Sequence, residues 1–555
     1  YTLPDDPETF GGYFDSGSTW TTNSLTETRN DDYNVTSQAI ANYMGTFGSH
    51  NLTVMAGFEN YYMKSESLGA ARDKYELTGY PYLNIGSEDF QTNSGTGSEY
   101  TSNSVFGRVI YSYADRYLFQ ANVRHDGSSR FAKGYRWGTF PSFSAGWVAS
   151  EEKFMKNLKW DWLSFLKLRG SWGMLGNERI GSNYFPYIAL MSFGNSLFYM
   201  ADGSVVSDKT ARPAVLAVED ITWETTTSTD LGLDVNFLNN RLQFHFDYYW
   251  KETKDMLLNI EIPYFMGYNN PSTNAGKMST HGYDIEVAWN DQIGDFKYDI
   301  NVNFSDFLSK IDYMNDGEQI SGGKIKRAGV LFNEFYGYVC EGIYQTQEEV
   351  NNSARTSTTV TVGDLKYRDI SGPDGVPDGV ISPEYDRVPL GNSLPRFQYG
   401  GSLNASYKGI DFSLAFQGIG KQNSYLSTSM VQPLRDNYGN VPAILEGKYW
   451  SPFNTTEENL AAKYPRLSNV SKSNNYATSS FWMFNGSYFR LKNITLGYTL
   501  PKSWTQKAGI NRARFYVSGS DLFCLSNFPS GWDPEMGTSD YPITTSLVMG
   551  IQVNF

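Results

Sequence analysis

The densest group of oxygen-bearing side chains lies between positions 369 and 386, among glycines and prolines. Its candidate ligands for a metal ion are Asp369, Asp374, Asp378, Val380 and Asp386. Calcium loops place oxygen ligands at alternate positions and use glycine for the turn. This segment carries extra residues at 372–377 and no glutamate at the usual closing position. A structural calcium loop is predicted, and a plain Gly/Pro/Asp turn set is the alternative.

Catalytic patterns are absent from the sequence. It contains no G-x-S-x-G, P-loop, H-E-x-x-H or C-x-x-C motif. His125 stands near Asp126 and Ser128, but catalytic triads are assembled in space, and these residues are neighbours in one segment. The sequence therefore predicts a protein that is not an enzyme.

Charge and cysteine content exclude two further classes. Lys and Arg total 45 against 59 Asp and Glu, which gives a net charge of −14. Nucleic acid binding needs a basic face, so no nucleic acid partner is expected. Cys340 and Cys524 are too few for a disulfide framework. No apolar run approaches the roughly 18 residues of a membrane-spanning helix.

Period-two alternation is the main structural signal. The first example places Leu231, Leu233, Val235 and Phe237 on one face, then a turn near Asn239, then Leu242, Phe244, Phe246, Tyr248 and Trp250 on the same face. The segments at 283–304, with a turn at 291–295, and 403–416, with a turn at Lys408 and Gly409, repeat the pattern. Such alternation predicts β-hairpins with one apolar face. A soluble sandwich would alternate in the same way.

Loop lengths favour a membrane barrel over a sandwich. Short turns alternate with connections as long as 252–281, 308–395 and 418–485, which is typical of outer-membrane barrels. About 16 strands are predicted, near residues 9–20, 33–45, 50–63, 104–113, 117–126, 140–149, 166–174, 223–237, 242–252, 282–290, 296–307, 396–407, 410–418, 486–498, 512–523 and 542–555. The alternating last strand ends in Phe555, a candidate assembly signal.

Five segments in order resemble the SusC/RagA family of TonB-dependent outer-membrane transporters from Bacteroidetes. They are RHDGSSRF from Arg124, FPSFSAGW from Phe140, LKLRGSWGMLGN from Leu166, LPRFQYGGSLNASYKGIDFSLAFQG from Leu394 and YFRLKNITLGYTLP from Tyr488. The resemblance covers nearly the whole chain and is weakest in residues 1–100 and the long loops.

The resemblance implies an all-β, antiparallel up-and-down transmembrane barrel of about 22 strands with a plugged lumen. We expect residues 1–555 to be its carboxyl-terminal part, with the plug, the TonB box and the first strands absent from the chain. Members import cargo with a surface lipoprotein of the SusD type, energised by the TonB complex. The implied partners are this lipoprotein, TonB, the amino-terminal part of the same transporter and the lipid bilayer. A dimer of transporter–lipoprotein pairs is a further implied assembly.

Cargo is expected to be oligosaccharide or, alternatively, oligopeptide. Aromatic loop segments at 187–199 and 332–344 could stack on sugar rings or peptide side chains, or pack beneath a lipoprotein. Two rival interpretations stay open. A passive 16-stranded porin is favoured only by the strand count. A soluble structural or adhesive all-β protein would be monodisperse without detergent.

Overall fold

The computed structural model describes residues 23–555 apart from positions 78, 159, 181–183, 190, 316, 428–430, 435–440, 442, 538–540 and 542. Fifteen strands form one antiparallel sheet in chain order. They are β1 (Ser24–Phe47), β2 (His50–Asp73), β3 (Gln91–Tyr113), β4 (Tyr117–Ser128), β5 (Trp137–Val148), β6 (Leu163–Asn177), β9 (Glu224–Phe237), β10 (Leu242–Asn259), β11 (Ser272–Ile293), β12 (Phe296–Met314), β19 (Arg396–Tyr407), β20 (Ile410–Lys421), β23 (Tyr488–Thr499), β24 (Arg512–Ser526) and β25 (Ser546–Asn554).

The remaining strands and the helices lie in the connections. The strands are β7 (Met191–Tyr199), β8 (Val205–Pro213), β13 (Glu318–Ser321), β14 (Lys324–Arg327), β15 (Glu334–Tyr338), β16 (Cys340–Ile343), β17 (Leu365–Tyr367), β18 (Arg387–Asn392), β21 (Asn423–Tyr425) and β22 (Met483–Asn485). The helices are α1 (Lys153–Asn157), α2 (Gln347–Asn352), α3 (Thr456–Leu460), α4 (Lys472–Asn475) and α5 (Lys502–Thr505). None of the helices in the described part is long and apolar enough to cross a bilayer.

Fifteen of the predicted strand positions coincide with the fifteen strands of the sheet; the position at 9–20 lies outside the described residues. The predicted hairpin pairs Phe237 with Leu242 and continues in register to Lys254. Several boundaries were wrong. The predicted turn at 291–295 shrinks to residues 294–295, and β10 and β11 extend well into the predicted loop 252–281.

The sheet has two chemically different faces. The apolar face carries, for example, Phe58, Val105, Phe143, Leu231 and Val517, whose side chains are all exposed. Adjacent positions, which point to the opposite side because a strand alternates, form the polar face. The accessible surface is 33966 Å², whereas a compact protein of 62.6 kDa would expose about 20,000 Å². The excess reflects an open sheet with both faces accessible, and a contiguous exposed apolar face of this kind marks a surface that contacts lipid or protein.

Aromatic residues border the apolar face at two heights. On β5, Trp147 and Trp137 lie ten positions apart on this face, with Phe143 between them. At 3.4 Å per residue and a strand tilt near 40°, this separation corresponds to about 26 Å. The separation of about 26 Å matches the height of the apolar band of an outer-membrane barrel. At the end of the sheet where Trp147 lies, Trp160 and Trp162 also stack, with ring centroids 5.4 Å apart.

Connections differ between the two ends of the strands. At the turn end, they are residues 48–49, 114–116, 238–241, 294–295 and 408–409, plus two segments that hold α1 and α5. Lys408 and Gly409 adopt φ values of +46° and +90°, which are the left-handed values that a two-residue hairpin requires. At the loop end, the connections reach lengths such as 315–395 and 422–487.

The two edge strands run in the same direction. β1 ends at the turn 48–49, so it runs from the loop end to the turn end, and β25 does the same. Among the described residues, β1 and β25 are not paired with each other. An antiparallel barrel can therefore close only through an odd number of further strands between them. Barrel closure and the total of 22 stay predictions.

The described residues of the two longest connections, 315–395 and 422–487, pack against each other and are here called the loop unit. Its central contact is Asp364, which is fully buried. The Asp364 carboxylate accepts hydrogen bonds from Arg466 Nε at 2.7 Å, Ser471 Oγ at 3.0 Å and Asn475 Nδ2 at 3.0 Å. Because Asp364 comes from one connection and its three partners from the other, this carboxylate ties both together.

A second set of contacts joins the same connections near β15 and β16. The Tyr338 backbone N–H donates to the Thr478 carbonyl at 2.9 Å. A Cβ atom on Gly337 would lie 2.1 Å from that carbonyl oxygen, so only glycine allows this approach. Burial raises the pKa of the neighbouring Cys340 thiol to about 11. Cys340 therefore stays a neutral structural thiol at physiological pH.

We predict that Asp364→Ala separates the two halves of the loop unit and leaves the sheet assembled. Removing one partner of a buried ion pair costs about 3 kcal/mol. Limited proteolysis of the folded protein should then cut within 315–395 or 422–487 at a much lower protease concentration. Arg368→Ala is the matched control, since Arg368 pairs with Glu341 through a side chain that is 58% exposed. Equal protease resistance of both variants would contradict the role of Asp364.

Candidate functional site

The polar face of the sheet is organised around arginines from the sequence motifs. In β4, Arg124 donates from Nε to Asp126 at 2.7 Å and from Nη2 to Glu59 at 3.1 Å and Ser104 at 2.8 Å. These partners lie on β4, β2 and β3. One guanidinium thus connects three adjacent strands on the polar face.

The same motif shows why a catalytic triad does not form. Because neighbouring residues of a strand point to opposite faces, His125 lies on the apolar face while Asp126 lies on the polar face. His125 hydrogen-bonds Thr139 Oγ1 at 2.8 Å and stacks on Trp137 at 4.8 Å. Ser128 Oγ accepts from the Arg130 backbone N–H at 3.1 Å. The three residues have separate structural partners.

Arg169 in β6 forms the second arginine centre. It reaches across Gly232 in β9 to Asp247 in β10, where Nη2 donates at 2.6 Å, and its Nε lies 3.2 Å from Asp234. A Cβ atom on Gly232 would lie 2.5 Å from the guanidinium carbon. Glycine at 232 is therefore required for this cross-strand ion pair.

Arg490 in β23 forms the third centre and holds a loop-end connection against the sheet. It is 3% exposed. Its Nη2 donates to Asp533 at 2.6 Å and its Nε lies 2.5 Å from Glu535. Asp533 and Glu535 belong to the connection between β24 and β25, so this connection folds inward over the polar face.

At these three centres, the arginines of the polar face are paired with carboxylates. Sequence reasoning did not single out Arg169, Arg490 or Asp364. The first two could have been found, because each is a charged residue at a polar-face position of an alternating strand. Asp364 gave no such signal, since it lies in a connection without periodicity.

The predicted calcium loop is ordered by its last carboxylate. Asp386 is fully buried. Its Oδ1 accepts backbone N–H groups of Ile370 at 2.7 Å and Ser371 at 3.2 Å, and its Oδ2 accepts that of Ser382 at 2.7 Å. Three backbone donors therefore occupy this carboxylate, which closes the loop on itself.

The other predicted ligands are distributed differently. Asp369 Oδ2 accepts from the Gly379 N–H at 2.7 Å, while Asp369 Oδ1 is buried without a hydrogen-bond partner. Asp378 Oδ1 accepts from the Val380 N–H at 2.9 Å. Asp374 and Val380 are exposed. Within the described ranges, no group of three or more His, Cys, Asp or Glu side chains is arranged to hold a metal, and calcium stays a prediction.

The two aromatic segments have opposite surroundings. In 332–344, Phe335, Tyr336, Tyr338 and Tyr344 are buried and pack inside the loop unit. In 187–199, Phe193 and Tyr199 are 80% and 83% exposed on the β7–β8 hairpin. Of the two segments, the second has its large aromatic rings exposed. Phe555 follows β25 and is 85% exposed, and its role in assembly stays a prediction.

Comparison with known proteins places this geometry in a family. Residues 1–518 match the family model "TonB dependent receptor-like, beta-barrel". TonB-dependent receptor P3 of Formosa agariphila is 30% identical over 94% of this chain and 52% of its own length. TonB-dependent receptor SusC of Bacteroides thetaiotaomicron is 28% identical over 94% of this chain and 50% of its own length. The chain thus spans about half the length of these curated relatives.

A solved structure shares the fold. The structure of the RagAB peptide transporter superimposes with a TM-score of 0.77 at 24% identity, covering 96% of this chain and 56% of that one. The continuous antiparallel sheet and its exposed apolar face are consistent with the match to a β-barrel family. This chain therefore belongs to the TonB-dependent receptor-like β-barrel family, as a SusC-like protein of the bacterial outer membrane.

Proposed function

We propose that the protein acts in TonB-energised import across the outer membrane and has no catalytic role. The observation that carries this proposal is the pairing of an exposed apolar face with a polar face whose arginines are internally paired. Such a sheet fits a wall between lipid and a water-filled passage. The strands required between β25 and β1 beyond the one predicted at 9–20, together with the plug, would come from the remainder of the same transporter.

We further propose a SusD-like lipoprotein partner at the loop end. Long loops of outer-membrane barrels face the outside of the cell, which is where a surface lipoprotein lies. The exposed rings of the β7–β8 hairpin support such a contact, as does the packing of the two longest loop-end connections into the loop unit. A dimer of transporter–lipoprotein pairs remains part of this proposal.

Oligosaccharide is the proposed cargo, and oligopeptide is the second candidate. The first is what the resemblance of the sequence motifs to the SusC/RagA family implies. The second is favoured by the likeness to a structure titled as a peptide transporter. A passive porin is disfavoured by the size of the loop unit and by the inward fold of the connection that carries Asp533 and Glu535.

The first prediction concerns energy. In cells that express the full transporter and its lipoprotein, uptake of labelled oligosaccharides or peptides too large for porins should stop when tonB is deleted or the proton motive force is dissipated. Diffusion of glucose through porins is the control and should not change. Uptake that persists without TonB would refute the energised import and favour a passive pore.

We also propose calcium binding in the loop 369–386, supported by the buried Asp369 Oδ1 that lacks a hydrogen-bond partner and by the Asp378 carboxylate beside Gly372. Asp378→Ala should abolish bound calcium, measured by elemental analysis of the purified protein. Glu348→Ala, which removes an exposed carboxylate of the loop unit outside 369–386, is the control and should leave the calcium content unchanged. Unchanged calcium content in Asp378→Ala would exclude the site. Asp386→Ala should unfold the loop with or without calcium, because three backbone N–H groups lose their acceptor.

A further inference from the structure

Large apolar side chains interrupt the polar face of the sheet on its first three strands. Their neighbours along each strand point to the apolar face, so these side chains lie on the opposite side, with the ion pairs. We call this set the inner patch; it consists of Ile40 and Met44 on β1, Met55 on β2, and Phe106 and Ile110 on β3. Ile40 is 49% and Met44 77% exposed, so the inner patch is uncovered in the described part of the chain.

Cross-strand register brings the side chains of the inner patch together. Ile40 lies opposite Gly57, and Gly57 lies opposite Phe106. The Phe106 ring occupies the space over this glycine, since a Cβ atom on Gly57 would lie 2.4 Å from the ring. The ring therefore extends from β3 across β2 towards β1. Met44 and Ile110 share one partner on β2, nearer the turn end, so the inner patch is continuous across the three strands.

The charged groups near the inner patch are engaged with other partners. Arg108, on the polar face of β3, donates from Nε to Asn122 on β4 at 2.8 Å. Arg124 on β4 lies over the Phe106 ring at 5.3 Å and donates from Nη2 to Glu59 at 3.1 Å, towards the loop end. On β1, the polar-face positions from 38 to 46 carry no charged residue. The part of the inner patch nearest the edge of the sheet is therefore free of charge.

The polar face of β9, β10 and β11 has a different composition and is here called the polar wall. Its positions are the even residues 224–236, the odd residues 243–253 and the even residues 280–292, and none of them is Val, Ile, Leu, Met or Phe. A partner that leaves such a wall is replaced by water, which hydrogen-bonds the exposed polar groups at small net cost. A partner that leaves the inner patch exposes apolar surface, which costs free energy in proportion to its area.

We propose that the inner patch retains the plug of the same transporter during import, and that the passage opens between the plug and the polar wall. This inference rests on the proposed import function and deepens it, because it assigns the side of the lumen on which cargo moves. The chain spans about half the length of its curated relatives, which leaves the other half of the transporter to supply the cover. The polar face of a barrel is turned away from lipid, so lipid does not cover the inner patch. A plug under tension separates first where separation exposes the least apolar surface.

A substitution tests the contact between the inner patch and the plug. Ile40→Asn/Met44→Gln makes the inner patch polar and should loosen the plug, so vancomycin, which is too large for porins, should inhibit growth at a several-fold lower concentration even without TonB. Asn42→Gln, between these positions on the same face of β1, is the matched control and should leave the sensitivity unchanged. Heat-modifiable gel migration verifies assembly of both variants. Equal sensitivity of the two assembled variants would overturn the inner patch as a plug contact.

Photo-cross-linking in cells that express the full transporter with its lipoprotein tests which side of the lumen opens. The photoreactive residue p-benzoylphenylalanine replaces Met44 in the inner patch, Ala288 in the polar wall or, as the outward control, Val54 on the apolar face of β2. Cells with and without TonB are irradiated during exposure to a mixture of labelled maltoheptaose, alginate oligomers and a casein digest. Mass spectrometry then identifies the cross-linked peptides, and uptake of each probe is measured in the same cells.

We expect position 44 to cross-link to the plug equally with and without TonB, position 288 to lose its cross-link to the plug when TonB is active, and position 54 to give none. Cross-links of position 44 only to lipid, to the lipoprotein or to a second copy would overturn the inference and leave the import function standing. The same holds for a cross-link at position 288 that is absent or unchanged in both strains, and for a plug cross-link at position 54. If no probe shows TonB-dependent uptake, the proposed function and the inference are overturned together.

Discussion

Backbone hydrogen bonding without water is the constraint on which the rest of this structure depends. Inside a bilayer, each N–H and C=O group of a strand must find its partner on a neighbouring strand. The fifteen strands meet this requirement by pairing in chain order, so each strand satisfies the next. Of the fifteen strands of this sheet, only β1 and β25 have one side without a partner strand in the described part of the chain. A closed barrel therefore requires further strands whose backbone groups pair with the free edges of β1 and β25.

Pairing in chain order also determines where polar chemistry can be placed. Every second residue faces lipid, so charged groups are restricted to alternate positions, and cross-strand register decides which of them meet. Arg169 shows the effect: it contacts Asp247 two strands away because register places Gly232 between them. On such a sheet, side chains that act together lie side by side on neighbouring strands and are far apart in the sequence.

The sequence predicted the sheet well because lipid imposes a strict alternation over about ten residues per strand. It predicted strand ends poorly. β1, β2 and β11 continue beyond the apolar band, where both faces are polar and the period disappears, as at Lys277 or Asp31. The sequence did not predict the loop unit for a different reason. Its segments are held together by contacts between distant residues, such as Asp364 and Arg466, which are 102 positions apart. The role of Asp386 could not be predicted for the same reason. The calcium pattern concerns neighbouring positions, whereas Asp386 accepts hydrogen bonds from backbone N–H groups up to 16 positions away.

The loop unit has a mechanical consequence for the mouth of the passage. Its two segments are rooted in β12, β19, β20 and β23, four consecutive strands of the sheet. Contacts between the two segments link these four strands at the loop end, which makes them harder to separate there. The rim above β1 to β5 carries only shorter connections and has no comparable brace in the described chain. A force applied at the loop end would therefore displace the strands near β1 to β5 more than the four strands that carry the loop unit.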